Sequence, residues 1–323
     1  MSDLSVLGVG LPDIWFALVF FLFAMFLLLD GFDFGVGVLF AAADSEEREH
    51  LLAAIGPFWD GNEVWLVVFG GALFAAFPEA YATLFSRYYL LMFGILAALA
   101  LRGLAPELYE QRDSQRWHEF WGASFVVGST ATPILLGVFV TNWLLGATAI
   151  VTVTGVVGGL ALLALTVVDG IAFLGLKTPS LSESVRPYAR YAIVAYLGFA
   201  VLLLAALAVD DPALADALFT PIPLVLVLLT VVLGVAYAVA VDRRRYREAF
   251  VATAGLVFGL ATLVAVLMFP YVDRATGLTV ADAIVSDLPL SLMSVMMGIF
   301  LPLVLLYFVA LYSAFRGPMG ETY

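Results

Sequence analysis

Four acids and one arginine stand inside apolar sequence, where ionisable groups are expensive. Asp30 and Asp33 interrupt the first apolar run, Asp60 and Glu63 interrupt the second within Trp59-Asp60-Gly61-Asn62-Glu63-Val64-Trp65, and Arg102 ends the third. Each such group at membrane depth costs about 2.5 to 3.5 kcal/mol on insertion scales, so each requires a partner or a task. Asp30 and Asp60 both fall roughly ten residues, or about 15 Å, from the same face of the membrane. Two carboxyls at equal depth on neighbouring helices can share a proton, which is the chemistry of a proton relay. Glu63 follows Asp60 by three and shares its helix face. Asn62 adds donors and an acceptor, Gly61 admits a neighbouring helix, and Trp59 and Trp65 pack around the group. Arg102 reads either as the counter-ion of these acids or as a side chain snorkelling to headgroups. A set of acids that only ties helices together explains one buried aspartate better than four.

Composition demands a membrane around this group. Hydrophobic residues make up 63% of the 323, charged residues 12%, and mean hydropathy is +1.07. A soluble domain carries about 25% charged residues. Nine apolar stretches are long enough to span, at approximately 13–41, 51–77, 79–102, 118–145, 149–176, 188–208, 221–241, 248–270 and 289–314. Runs such as 224–239 lack the alternation of a barrel strand. The expectation is an all-α polytopic membrane protein, a single membrane domain over 1–323. Twelve of the fourteen basic residues, from Arg48 to Arg316, fall in loops on one side, leaving Arg87 and Arg274 on the other. The N-terminus is therefore expected outside and the C-terminus inside. No Lys or Arg precedes the first run, so that run is expected to remain as a helix.

The pair Asp30-Gly31 recurs as Asp169-Gly170, four helices later. That spacing predicts a parallel duplication: one four-helix unit over 1–145, a second over 146–270, and a final helix over 271–323. The role of Asp169 stays open at this level. Gly31 with Gly35, and Gly155 with Gly159, predict close helix packing, and Trp15, Trp143 and Tyr271 predict interfacial anchors. Without cysteine, thiolate metal sites and disulfides are excluded. His50 and His118 lie in charged segments, which equips the chain poorly to hold haem by itself. A net charge of −12 excludes a basic nucleic-acid surface. A proton-coupled secondary transporter is the rival reading, with Pro133 and Pro302 as candidate helix breaks.

The strings Leu29-Asp30-Gly31-Phe32-Asp33-Phe34-Gly35-Val36-Gly37 and Trp59 to Trp65, followed by Gly70-Gly71-Ala72-Leu73-Phe74-Ala75-Ala76-Phe77-Pro78, resemble motifs of subunit II of cytochrome bd-type ubiquinol oxidases. Segments 85–103, 117–122 and 128–129 continue the likeness, which is specific over about the first 145 residues. The resemblance includes the cyanide-insensitive variant of the complex. It implies a prokaryotic plasma-membrane heterodimer that oxidises quinol and reduces oxygen to water electrogenically. Haems b and d, and quinol oxidation, then belong to subunit I. This chain would bind no cofactor of its own, apart from a structural quinone found in some relatives. Small accessory subunits and membrane lipid complete the implied partners. The resemblance further implies that the chain supports assembly of subunit I. It associates Asp60, Asp30 and Arg102 with a proton path from the inner side.

Overall fold

Prolines, glycines and one capping box set the helix boundaries. The computed structural model describes residues 5–6 and 8–315, without the side chains of 179 and 180; Arg316 lies outside the described residues. These residues form thirteen α-helices: α1 (Leu11–Leu39), α2 (Ser45–Ile55), α3 (Trp59–Ala76), α4 (Pro78–Arg87), α5 (Tyr89–Tyr109), α6 (Gln115–Leu145), α7 (Val153–Lys177), α8 (Pro179–Asp210), α9 (Pro212–Leu218), α10 (Pro221–Asp242), α11 (Tyr246–Met268), α12 (Val280–Ala283) and α13 (Asp287–Ala314). Two short antiparallel hairpins, β1 (Ser5–Val6) with β2 (Val9–Gly10) and β3 (Tyr271–Asp273) with β4 (Leu278–Thr279), complete the fold. Proline occupies the first turn of α1 and α10, where its missing N–H has no helical partner to lose. Asp44 and Glu47 form a reciprocal capping box at the start of α2. Gly146, at φ 64°, ends α6 in a left-handed cap.

Eight described helices are long and apolar enough to cross a membrane, so the chain is an all-α, multi-pass membrane protein. The predicted second and third spans differ from expectation. The segment 51–77 is two helices, because Pro57 cannot continue α2 and the chain turns at 56–58. The remaining α3 has 18 residues and opens with Asp60, Asn62 and Glu63, which lowers its apolarity below that of the eight. The segment 79–102 breaks at Tyr88, whose hydroxyl donates to the carbonyls of Asn142 and Ala147. Beyond that break α5 runs on to Tyr109, so Arg102 lies well inside the helix. Pro133 and Pro302 leave α6 and α13 continuous, which removes the broken helices that the transporter reading needed.

The centre of the bundle is α1, α6, α7 and α11, each of which touches the other three. Helix α3 packs on α1 and α5 on α6, while α8 packs on α7 and α10 on α11. Lipid is as apolar as the side chains, so helices in a membrane associate through close packing. The α1–α7 crossing shows this directly. A Cβ at Gly35 would overlap the carbonyl oxygen of Thr166 and sit 3.0 Å from the Cα of Gly170. Above this contact, Phe32 and Phe173 stack with ring centroids 3.9 Å apart. Helix α13 lies outermost, pinned by Trp15 Nε1, which donates to Ser294 Oγ at 2.8 Å. Its apolar face, including Leu292, Ile299 and Leu303, is exposed.

At one end of the bundle, the β3–β4 hairpin is clamped to α4. Arg87 donates to both oxygens of the buried Asp273, at 2.9 and 2.8 Å, and Thr83 and Thr276 add hydroxyl bonds. Arg87 therefore belongs to an ion pair rather than to the headgroups. Trp143, donating to Val272 O, is buried like Trp15, so neither is an interfacial anchor; Tyr271 is exposed. Burial pulls the Asp273 carboxyl up, but the bonds from Arg87, Thr276 and Thr83 outweigh it and hold the group below its usual range.

Two outcomes are expected. Substituting Gly35→Val forces the α1 and α7 backbones apart, costing about 3 kcal/mol or more. Thermal unfolding in detergent should show this loss, whereas Gly259→Ala, which meets nothing within 4 Å, should leave stability unchanged. The Asp273 carboxyl, depressed in the fold, contributes stability that is full above the unfolded value of about 3.9 and is lost as pH falls through the folded value. The difference in Tm between the native chain and Asp273→Asn should be constant at neutral pH and shrink in strong acid.

Candidate functional site

Glu63 of α3, two acids of α1 and the arginine of α5 converge between those helices. Asp30 and Asp33 are three apart on α1 and share one face. Both are fully buried. Arg102 enters from α5 and is 1% exposed. Its Nη2 lies 2.5 Å from Asp30 Oδ1 and 3.3 Å from Asp33 Oδ2, and its Nη1 lies 3.2 Å from Glu63 Oε2. The rings of Phe34 and Trp59 lie 5.1 and 5.6 Å from the guanidinium carbon, giving the flat cation two aromatic faces. A lysine could not reproduce this, because its ammonium is a single point rather than a planar fork. Helix α6 supplies the room: a Cβ at Gly128 would lie 2.6 Å from Ala98 O and 2.8 Å from Arg102 Cβ.

A second layer fixes the acids. Asn62 Nδ2 donates to Asp33 Oδ2 at 2.9 Å, and the Tyr312 hydroxyl of α13 donates to Asn62 Oδ1 at 2.9 Å. Tyr312 stacks on Phe58, with centroids 4.6 Å apart. Trp65 is buried against Phe308 of α13. Gly61 is not required for helix approach, since a Cβ there would meet only Phe308, at an ordinary 3.9 Å. Tyr312 carries no local sequence signal: it lies in an apolar run and acts through a buried asparagine on α3.

Asp60 departs from its expected place. It is exposed on α3, away from Asp30, because residue 60 turns toward the outside of the bundle while Asn62 turns inward. The carboxyl closest to Asp30 across the guanidinium is Asp33, so the expected sharing of a proton between Asp30 and Asp60 does not fit the geometry. Glu63 joins the two regions: its carboxylate reaches Arg102, yet its side chain is 32% exposed. Asp60 also sits in the first turn of α3, where the helix dipole favours negative charge.

One guanidinium faces three carboxyls. With all three ionised, the site would hold two uncompensated negative charges among buried groups, a costly arrangement. Asp30 Oδ2 and Asp33 Oδ1 have no protein hydrogen-bond partner among the described residues. The arrangement can therefore accept, hold and release a proton with Arg102 fixed, and Glu63 gives it an opening to the surface of α3.

The histidines offer no intramembrane ligand pair for haem. His50 is exposed on α2, and His118 stacks on Tyr109 at 4.4 Å near the start of α6. A separate apolar cleft of about 110 Å³ lies among α6, α7, α8, α10 and α11. Its lining is mostly leucine and valine, with Thr141, Tyr196 and Thr230.

Comparison with known proteins places these features. Residues 11–315 match the family described as Cytochrome bd terminal oxidase subunit II. The cytochrome bd ubiquinol oxidase subunit 2 of Bacillus subtilis (strain 168) is 34% identical, the alignment covering 95% of this chain and 96% of that protein. The cytochrome bd-I ubiquinol oxidase subunit 2 of Escherichia coli (strain K12) is 41% identical over 135 residues, 41% of this chain and 36% of that one. A chain in the structure of bd oxidase from Geobacillus thermodenitrificans shares the fold, with TM-score 0.74 and 17% identity over 94% of this chain and 98% of that one. The chain belongs to the cytochrome bd terminal oxidase subunit II family.

Proposed function

We propose that this chain is the haem-free second subunit of a bd-type quinol:oxygen oxidoreductase, and that the Arg102 group forms part of its proton path. Haems b and d and the quinol-oxidising site then lie in subunit I, and oxygen reduction there consumes protons drawn electrogenically from the inner side. The observation that carries this reading is a fully buried arginine facing three carboxyls, one of which reaches the surface. Asp60 and Glu63 serve as the exposed end of the path on α3, and Asp33 and Asp30 as its buried end. Arg102 holds the acids together and lowers the barrier to a negative charge among them. Trp59, Asn62 and Trp65 keep the group's geometry.

The arginine-rich end of the bundle, with Arg243, Arg244, Arg245 and Arg247 between α10 and α11, faces the cytoplasm, and the N-terminus faces outward. The two Asp-Gly pairs mark a duplication in which α1, α3, α5 and α6 correspond to α7, α8, α10 and α11. The exposed apolar faces of α3, α5 and α13 cover themselves with subunit I, small accessory subunits and lipid, which gives this chain its part in assembly.

Glu63→Gln keeps the size of the side chain and removes its acidity. In the assembled oxidase it should slow quinol-driven oxygen uptake by roughly tenfold or more with the haem spectrum unchanged. Asp60→Asn should act in the same direction and more weakly, since an exposed acid has water as a substitute. Full turnover in Glu63→Gln would remove the group from the path, and loss of haem would assign it to assembly instead.

A further inference from the structure

We propose that Asp169 is held as a neutral, protonated carboxyl and passes protons between the α10–α11 turn and the Arg102 group, as a second limb of the path. Its destination rests on the proton-path reading above; its protonation state does not.

Asp169 on α7 is fully buried. Its Oδ1 accepts from Thr253 Oγ1 of α11 at 2.8 Å, and its Oδ2 has no protein partner among the described residues. No ion pair among the described residues includes it. Lys177, two turns along α7, is turned to the Phe315 carbonyl and the face of Phe58. The contrast with Asp30, which follows the same Asp-Gly pattern, is sharp: Asp30 meets a guanidinium at 2.5 Å and Asp169 meets a hydroxyl. A bare carboxylate in such a place is costly, whereas a carboxylic acid is not. The titratable groups in electrostatic range of it among the described residues are Asp33 of α1, Tyr237 of α10 and Tyr312 of α13. None of them is a cation.

The free oxygen lies against α1. It lies 3.4 Å from the position of a Cβ on Gly31, in the turn of α1 that carries Asp30 and Asp33. On the other side, the Tyr237 and Tyr246 hydroxyls are buried without protein partners, and Tyr237 is in electrostatic range of both Asp169 and Tyr246. Tyr246 lines a cleft of about 380 Å³ with Gly175, Arg244, Arg245 and Arg247. A proton leaving Asp169 for the Asp33 side is replaced through Tyr237 and Tyr246 from this cleft, with no change of charge on Asp169 over the cycle.

The test is infrared spectroscopy of the assembled oxidase, native against Asp169→Asn, in H₂O and D₂O, with oxygen uptake followed across pH. A protonated-carboxyl C=O band that shifts on deuteration should be present in the native complex and missing from the variant. Uptake should fall by roughly tenfold toward high pH, where protons are scarce. Tyr237→Phe should keep the band and show the same loss of uptake. A variant that loses carboxylate bands instead would mean Asp169 is ionised and would overturn the proposal. So would loss of the C=O band with unchanged uptake at every pH. If Asp169→Asn does not assemble, an unaltered pH profile in Tyr237→Phe is the contradicting result. Failure of the Arg102 path itself appears separately, as full turnover in Glu63→Gln.

Discussion

A guanidinium cannot stay buried in a membrane protein without anions around it, and most of this structure follows from that constraint at Arg102. The helix that carries it runs past the membrane-facing position that snorkelling would require, so the charge has no route to headgroups. Asp30, Asp33 and Glu63 must therefore come to it, from two other helices. This fixes the rotation of α1 and α3 about their axes. Gly128 lets α6 close over the site, and Tyr312 secures α13 through Asn62. The packing of four helices is thus set by one charge.

The same logic separates the two halves of this multi-pass plasma-membrane protein. Both contain an Asp-Gly pair on a central helix, and the helices cross where Gly35 and Gly170 allow their backbones to meet. In the first half the aspartate is neutralised by a cation, and in the second it lies beside a threonine.

Much of this was legible in the sequence because the bilayer imposes simple rules. Hydropathy located the spans other than the second and third, and intramembrane charge located Asp30, Asp33, Glu63 and Arg102, since each is too costly there to be incidental. Depth counting failed for Asp60 because it fixes height along a helix and not rotation around it; the turn at 56–58 resets the phase of α3, sending Asp60 outward and Asn62 inward. The breaks at Pro57 and Tyr88 were hidden because apolar runs read as continuous whether or not the backbone is. Trp143 looked like a membrane anchor because its partner, Val272, lies more than a hundred residues away. Tyr312 had no local signal at all.

The account stands on charge balance at Arg102, and one measurement addresses it. Removing a partner from a buried ion pair costs about 3 to 5 kcal/mol, chiefly because the remaining charge is left bare. Arg102→Met should therefore lower the thermal stability and assembled yield of the complex, and adding Asp30→Asn and Asp33→Asn to the same chain should restore much of both. Stability regained in the triple variant, with oxygen uptake still slow, is the predicted result. If the triple variant is no more stable than Arg102→Met alone, the acids are not held by charge balance with Arg102, and the central claim fails.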